Sequence, residues 1–218
     1  MKDSVMKILK YILLIAVTVL FLFPVIYMLA CSFMTGSQVS EMLNFSDGKY
    51  KELNMIPNMA TLEQFYQTLF RKPEYLLKFW NSVVCTFPTV IGQVAVSSLA
   101  AFAFAKLKFP KADLLLKVFL ATMMIPTQVT IIPLFVVMNK MSLINSYASV
   151  ILPSIFRPFA VFLLVQQMRT IPNDYLDAAS IDGASTFTVY FKVALPLCAP
   201  TLATLSITTF MESWNDYL

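Results

Sequence analysis

The sequence predicts an all-α protein, a polytopic transmembrane helical bundle. Three observations carry that expectation. Of the 218 residues, 58% are hydrophobic and only 13% are charged, whereas soluble domains are nearer half apolar and about a quarter charged. The mean hydropathy is +0.73. The apolar residues gather into about five runs near the roughly 20 residues that a spanning helix needs.

Composition also bounds the chemistry. The net charge of +4 is small and reads as membrane topology rather than as a nucleic-acid footprint. Histidine is absent, which removes the commonest general base and metal ligand. Cys31, Cys85 and Cys198 each lie in or beside an apolar run. Their number is odd and their spacing fits neither a disulfide framework nor a zinc site, so they read as small hydrophobes in packed helices. No G-x-x-x-x-G-K-[ST] phosphate loop or Ser/His/Asp set is present. The expectation is a protein that is not an enzyme and holds no cofactor and no metal.

Three regions follow from the pattern: 1–31 as an N-terminal transmembrane helix, 32–79 as an extracytoplasmic loop, and 80–218 as the core domain, with a polar loop at 169–196. Lys2, Lys7 and Lys10 precede an uncharged run from Tyr11 to Ala30, the first span. Leu29-Ala30-Cys31 faintly resembles a lipoprotein cleavage box, but the run exceeds the about 7–15 residues of a signal core. The polar segment from Cys31 to Phe79 has balanced charge and predicts short helices, one of them opened by Thr61 as cap. Asn44-Phe45-Ser46 matches a glycosylation acceptor by chance composition.

The second span, Val83 to Ala105, is rich in small residues such as Gly92, Ser97 and Ala101, which let helices approach closely in lipid. The third is expected as one span from Leu114 to Val137, containing Pro126 and Pro133. The fourth, Ala148 to Val165, is expected to break at Pro153, Arg157 and Pro158. A fifth runs from Leu197 to about Met211, followed by Trp214 at the interface. Lysine and arginine concentrate in the N-terminus, in the loop holding Lys106, Lys108 and Lys111, and around the polar loop at Arg169 and Lys192. The opposite short loop has only Lys140. The positive-inside rule therefore places the N-terminus and the polar loop in the cytoplasm.

That polar loop, Ile171 to Pro200, predicts a helix–turn–helix finger. Pro172 suits a first helical turn, and Asn173 and Asp174 favour a helix N-terminus. Asp174, Asp177 and Ile181 share one face, and Leu176 and Ala179 another. Gly183 fits a left-handed C-terminal cap. Ser185 caps a second helix with Phe187, Tyr190, Phe191 and Ala194 as one apolar stripe, stopped by Pro196 and Pro200.

Asp177-Ala178-Ala179, then Gly183, then Leu195-Pro196 resemble the "EAA" loop of the membrane subunits of binding-protein-dependent ABC importers, with Asp177 where that family usually has Glu. Ala103-Phe104-Ala105-Lys106, Met124-Ile125-Pro126 and Trp214-Asn215-Asp216 look like further landmarks of the sugar-type, maltose-like inner-membrane permeases. The resemblance implies a permease subunit of an ATP-driven carbohydrate importer in the bacterial cell membrane. Its implied partners are a second permease subunit in a heterodimer, a dimer of ATP-binding cassette ATPases, an extracytoplasmic solute-binding protein and a small sugar.

The resemblance also implies that ATP is hydrolysed on the separate subunits. Asp174, Asp177, Ala178, Ala179, Asp182 and Gly183 would carry the coupling, and Gln128, Arg157 and Gln166 are candidates for the solute path, with Asn139 beside them. Intramembrane charges such as Arg157 tend to face cavities, although its neighbouring prolines also allow it to snorkel to the interface. Family members continue through one more helix, so the chain is expected to be a C-terminally truncated form. The alternatives are a related importer for another solute and a non-transporting membrane protein.

Overall fold

The computed structural model describes residues 2–43 and 56–215. The Asn44-Phe45-Ser46 site lies outside the described residues. The chain divides into two compact units, residues 1–78 and 79–218. Every regular element among the described residues is helical.

In the first unit, α1 (Lys2–Ser32) is a continuous helix with Pro24 inside it. Its 31 residues rise about 46 Å, well beyond the hydrocarbon thickness of a bilayer. Its apolar side chains from Val5 to Leu29 are largely exposed, as a lipid-facing helix requires. The short helices α2 (Gly36–Leu43) and α3 (Glu63–Tyr66) follow, α3 continuing as a π-turn, Gln67–Arg71. Thr61 opens α3: its Oγ1 accepts the Glu63 amide at 3.1 Å.

The second unit is built on α4 (Pro73–Lys106). Around it lie α5 (Ala112–Ala121), α6 (Thr127–Lys140), α7 (Tyr147–Ile155), α8 (Pro158–Thr170) and α12 (Ala199–Trp214). Between α8 and α12 come α9 (Asn173–Ile181), α10 (Thr186–Val189), a π-turn (Tyr190–Ala194) and α11 (Leu195–Leu197). The core joins Ala101 and Phe102 of α4, Leu164, Val165 and Met168 of α8, and Tyr190, Ala194, Cys198 and Leu205. Lipid tails are as apolar as these side chains, so close packing and hydrogen bonds, not exclusion of water, hold such a core. Ala101, Ala160 and Ala194 are fully buried, which lets the backbones approach. Gly92 shows the same need: a Cβ there would lie 2.6 Å from Ile155 Cδ1.

Three helices are long and apolar enough to cross a membrane, Val5–Ser32, Pro73–Lys106 and Tyr147–Thr170, and five spans result if each bent helix pair counts as one. The fold is thus an all-α membrane bundle, with three departures from the sequence expectation. The third span is not one helix. It bends by 104° between Ala112–Met124 and Thr127–Lys140, because Ile125 is extended (φ −83°, ψ 118°) ahead of Pro126, and a residue before proline is pushed out of the α region. Pro153 does not break the fourth segment. It stays inside α7, and the break falls at Phe156 and Arg157, with Pro158 opening α8. Pro196 and Pro200 do not stop the finger's second limb. Each sits in the first turn of the next short or long helix, and the 77° bend falls at Cys198 between them.

Candidate functional site

The polar loop folds as a helical finger. Pro172 is the N-cap of α9 rather than its first residue (φ −58°, ψ 140°), and Asn173 opens the helix. At the far end Gly183 has φ +81°. The Ala184 amide reaches back to the Ala179 carbonyl at 3.0 Å, and the Gly183 amide to the Ser180 carbonyl at 3.0 Å. This crossed pair is the Schellman closure, which satisfies carbonyls that a helix end leaves open. Ser185 then caps the second limb, its Oγ accepting the Thr188 amide at 3.3 Å.

The finger presents a polar face and a packed face. Asp174, Asp177, Ala178 and Asp182 are exposed, and Ile181 is 86% exposed. Leu176, Ala179 and Ala184 pack against the core. The second limb does not carry the single apolar stripe expected of it. Tyr190 and Ala194 are buried with Val189, whereas Phe187 and Phe191 face outward. The limb widens into the Tyr190–Ala194 π-turn, which shifts the register of the face that meets the core.

Two contacts fix the finger to α4. Lys106 Nζ donates to the Ile171 carbonyl at 2.6 Å and to Asn173 Oδ1 at 2.9 Å. Its ammonium thereby holds the two residues that precede and open α9. About two turns into the bundle, the Tyr190 hydroxyl and Ser98 Oγ share a buried 2.7 Å hydrogen bond, and the Tyr190 ring lies 5.3 Å from that of Phe102. Arg169 at the end of α8 pairs with Asp113 of α5 at 3.1 Å. The sequence marks Lys106 and Arg169 as topology charges, and Lys106 also as the end of the Ala103–Lys106 landmark. The grip by Lys106 depends on a contact 67 residues away in sequence.

Toward the other end of α4 lies a polar cavity of about 250 Å³. Arg157 lines it and pairs with Glu212. Thr89, Gln93 and Thr209 contribute polar groups, and Cys85 borders it. Gln93 is 3% exposed, and its Oε1 has no hydrogen-bond partner among the described residues. Gln128, Asn139 and Gln166 are exposed and do not line this cavity. Thr86, Thr89, Gln93 and Ser97 instead form a buried polar stripe along α4. Their spacing of three, four and four residues is that of one helical face. That periodicity was available in the sequence as a signal for Gln93, beneath the small residues that dominate the segment.

A polytopic α-helical chain with an exposed, carboxylate-bearing finger and a cavity lined by polar side chains is the form of a transport-system membrane component. Residues 93–218 match the family model described as binding-protein-dependent transport system inner membrane component, and the chain belongs to that family. It is 35% identical over 162 residues to the arabinooligosaccharides transport system permease protein AraQ of Halalkalibacterium halodurans, covering 74% of this chain and 58% of that one. It is 37% identical over 144 residues to the sn-glycerol-3-phosphate transport system permease protein UgpE of Salmonella typhi, covering 64% and 51%. The chain thus spans between half and two thirds of the length of these curated relatives. Its fold is similar to a chain in the crystal structure of a bacterial ABC transporter involved in the import of the acidic polysaccharide alginate, with a TM-score of 0.84 and 21% identity over all of this chain and 73% of that one.

Proposed function

We propose that the chain is a permease subunit of an ATP-driven carbohydrate importer in a bacterial inner membrane, with its N-terminus and finger in the cytoplasm. The observation that carries this reading is the finger: an exposed face bearing Asp174, Asp177 and Asp182, fixed at its root to α4 by Lys106. Such a link lets a separate ATPase dimer, docking on Asp177, Ala178 and Gly183 with Ala179 packed beneath them, move the spans as bodies. A second permease subunit completes the solute path as a heterodimer, and a solute-binding protein delivers the sugar from outside. Arg157 belongs to the path through its cavity. The sugar assignment leans on the likeness to AraQ.

The likeness to UgpE favours a second reading, in which the same machinery carries a phosphorylated polyol. Purification of the chain with the products of neighbouring importer genes tests both readings. ATP-dependent uptake of a labelled sugar into proteoliposomes, abolished by Asp177→Lys, is the expected result. Uptake of glycerol 3-phosphate alone would select the second reading. Failure to bind any ATPase would overturn both.

A further inference from the structure

The cavity lined by α4, α7 and α12, with Arg157 from the break between α7 and α8, has a chemistry of its own. Gln93 is nearly fully buried, and its Oε1 is unpaired. A buried carbonyl oxygen left without a donor is costly, so the site is completed by a group that brings an O–H or N–H. The remaining polar lining comes from the Asn81 amide, the hydroxyls of Ser82, Thr89, Ser154, Thr209 and Ser213, and the Arg157–Glu212 pair. Arg157 is the cavity's cation and is already matched by Glu212, so the two formal charges cancel. An anionic solute would find no uncommitted positive group among these residues, and a cation would meet a carboxylate already paired. Hydroxyls, which donate and accept at once, suit the Gln93 carbonyl, the threonines and the remaining carboxylate lone pairs together. The volume of about 250 Å³ lies just below the roughly 300–1,000 Å³ usual for small-molecule sites, which fits a single sugar ring rather than an oligomer.

We infer that this cavity is a subsite for one neutral, polyhydroxylated ring, with the Gln93 carbonyl as its buried acceptor and the Arg157–Glu212 pair at its rim. The inference rests on the carbohydrate-importer reading and deepens it by assigning this chain a solute site with a charge preference.

Cys85 borders the cavity and supplies a readout independent of transport. In membranes containing the full chain with its partner subunits, Cys85 is modified by a small hydrophilic methanethiosulfonate and followed by peptide mass spectrometry. L-Arabinose and D-glucose serve as neutral probes, and glucuronate and glycerol 3-phosphate as anionic ones. The expected result is that a neutral sugar slows modification several-fold and the anions do not. Gln93→Leu should remove that protection, read for each chain as the ratio of its own rates with and without sugar. Gln93→Asn, which keeps the amide but withdraws it by one methylene, should keep part of it. Cys85 also borders a second cavity of about 740 Å³ near Phe135 and Tyr147; protection that survives Gln93→Leu would assign the solute there and overturn the subsite. No protection by any sugar, equal protection by the anions, or an unreactive Cys85 would also overturn it. ATP-driven sugar uptake by the same preparation separates the two failures: uptake without protection sinks the subsite alone, and absence of uptake of any probe sinks the importer reading.

Discussion

The ammonium of Lys106 donates to Asn173 Oδ1 across 2.9 Å, joining the last residue of α4 to the first of α9. The same nitrogen binds the Ile171 carbonyl, so one side chain holds both sides of the Pro172 cap. Hydrogen bonds to charged groups contribute about 1.5–3 kcal/mol each. Lys106→Met keeps the stem and removes both bonds. Amide exchange in residues 173–181 is expected to rise by at least about tenfold, the equivalent of ~1.4 kcal/mol, with exchange in α4 unchanged. ATP-driven transport should fall more than ATPase binding does, because docking survives on a finger no longer tied to the span. Unchanged exchange in α9 would show that packing of Leu176 and Ala179 alone fixes the finger.

Gly183 separates backbone strain from steric crowding. A Cβ added there meets nothing within 4 Å, yet φ is +81°. Any loss of the finger's own stability on substitution therefore comes from the left-handed backbone, where an ordinary L-residue costs about 1–2 kcal/mol and a β-branched one is a clear outlier. Gly183→Val should misdirect the turn and weaken ATPase binding without reducing membrane insertion, and Gly183→Asn should retain most binding. A pull-down from detergent extracts with equal expression of the variants checks both. Equal binding by Val and Asn variants would mean that the turn's conformation does not matter to docking.

The finger was legible in the sequence because its signals are local. Gly183, Ser185 and the alternation of Asp177 with Leu176 and Ala179 act within one or two turns of their own helix. The bends were less legible. Proline says that a donor is missing and that its predecessor leaves the α region, but the angle depends on what packs nearby. Hence Pro126 marks a 104° turn while Pro133 and Pro153 ride inside helices. The cavity gathers only one of the three solute-path candidates, Arg157, for a related reason. Gln128 and Gln166 stand out as polar residues in apolar runs, but neither lines the cavity. Gln93 is visible only as one of a row with Thr86, Thr89 and Ser97, and Arg157 acquires its partner Glu212 from 55 residues away.

Asp177 is exposed, and no ion pair or side-chain hydrogen bond involving it occurs among the described residues. It is thus available to a docking partner at no cost to the fold. Asp177→Glu lengthens the reach and keeps the charge, and should bind the ATPase at least as well as the parent chain. Asp177→Lys reverses the charge and should weaken binding, more so at low salt than at high salt because exposed charges are screened within about 10 Å at 0.1 M. Thermal unfolding of both variants should match the parent chain within about 0.5 kcal/mol, as for surface substitutions generally. Equal ATPase affinity of the two variants would remove Asp177 from the interface.

Gly92 places the strictest demand on the bundle. Its would-be Cβ lies 2.6 Å from Ile155 Cδ1 and 2.8 Å from Ile155 Cγ1, so α4 and α7 touch where α4 has no side chain. Gly92→Ala should favour helix α4 by propensity, by about 1 kcal/mol. Against that, overpacking costs about 1–3 kcal/mol, and Ile155 must turn aside or push α7 away. The net expectation is loss of stability in detergent, together with altered access to Cys85, since Val150 of α7 helps to enclose that cavity. The obstructing atoms belong to one side chain, so Ile155→Ala should rescue Gly92→Ala. The double variant should be more stable than the Gly92→Ala single variant, a coupling that distant, independent sites do not show. Thermal unfolding of the four chains in one detergent measures it. Strictly additive losses would mean that the close approach of α4 and α7 at Gly92 is not a packing constraint on the bundle.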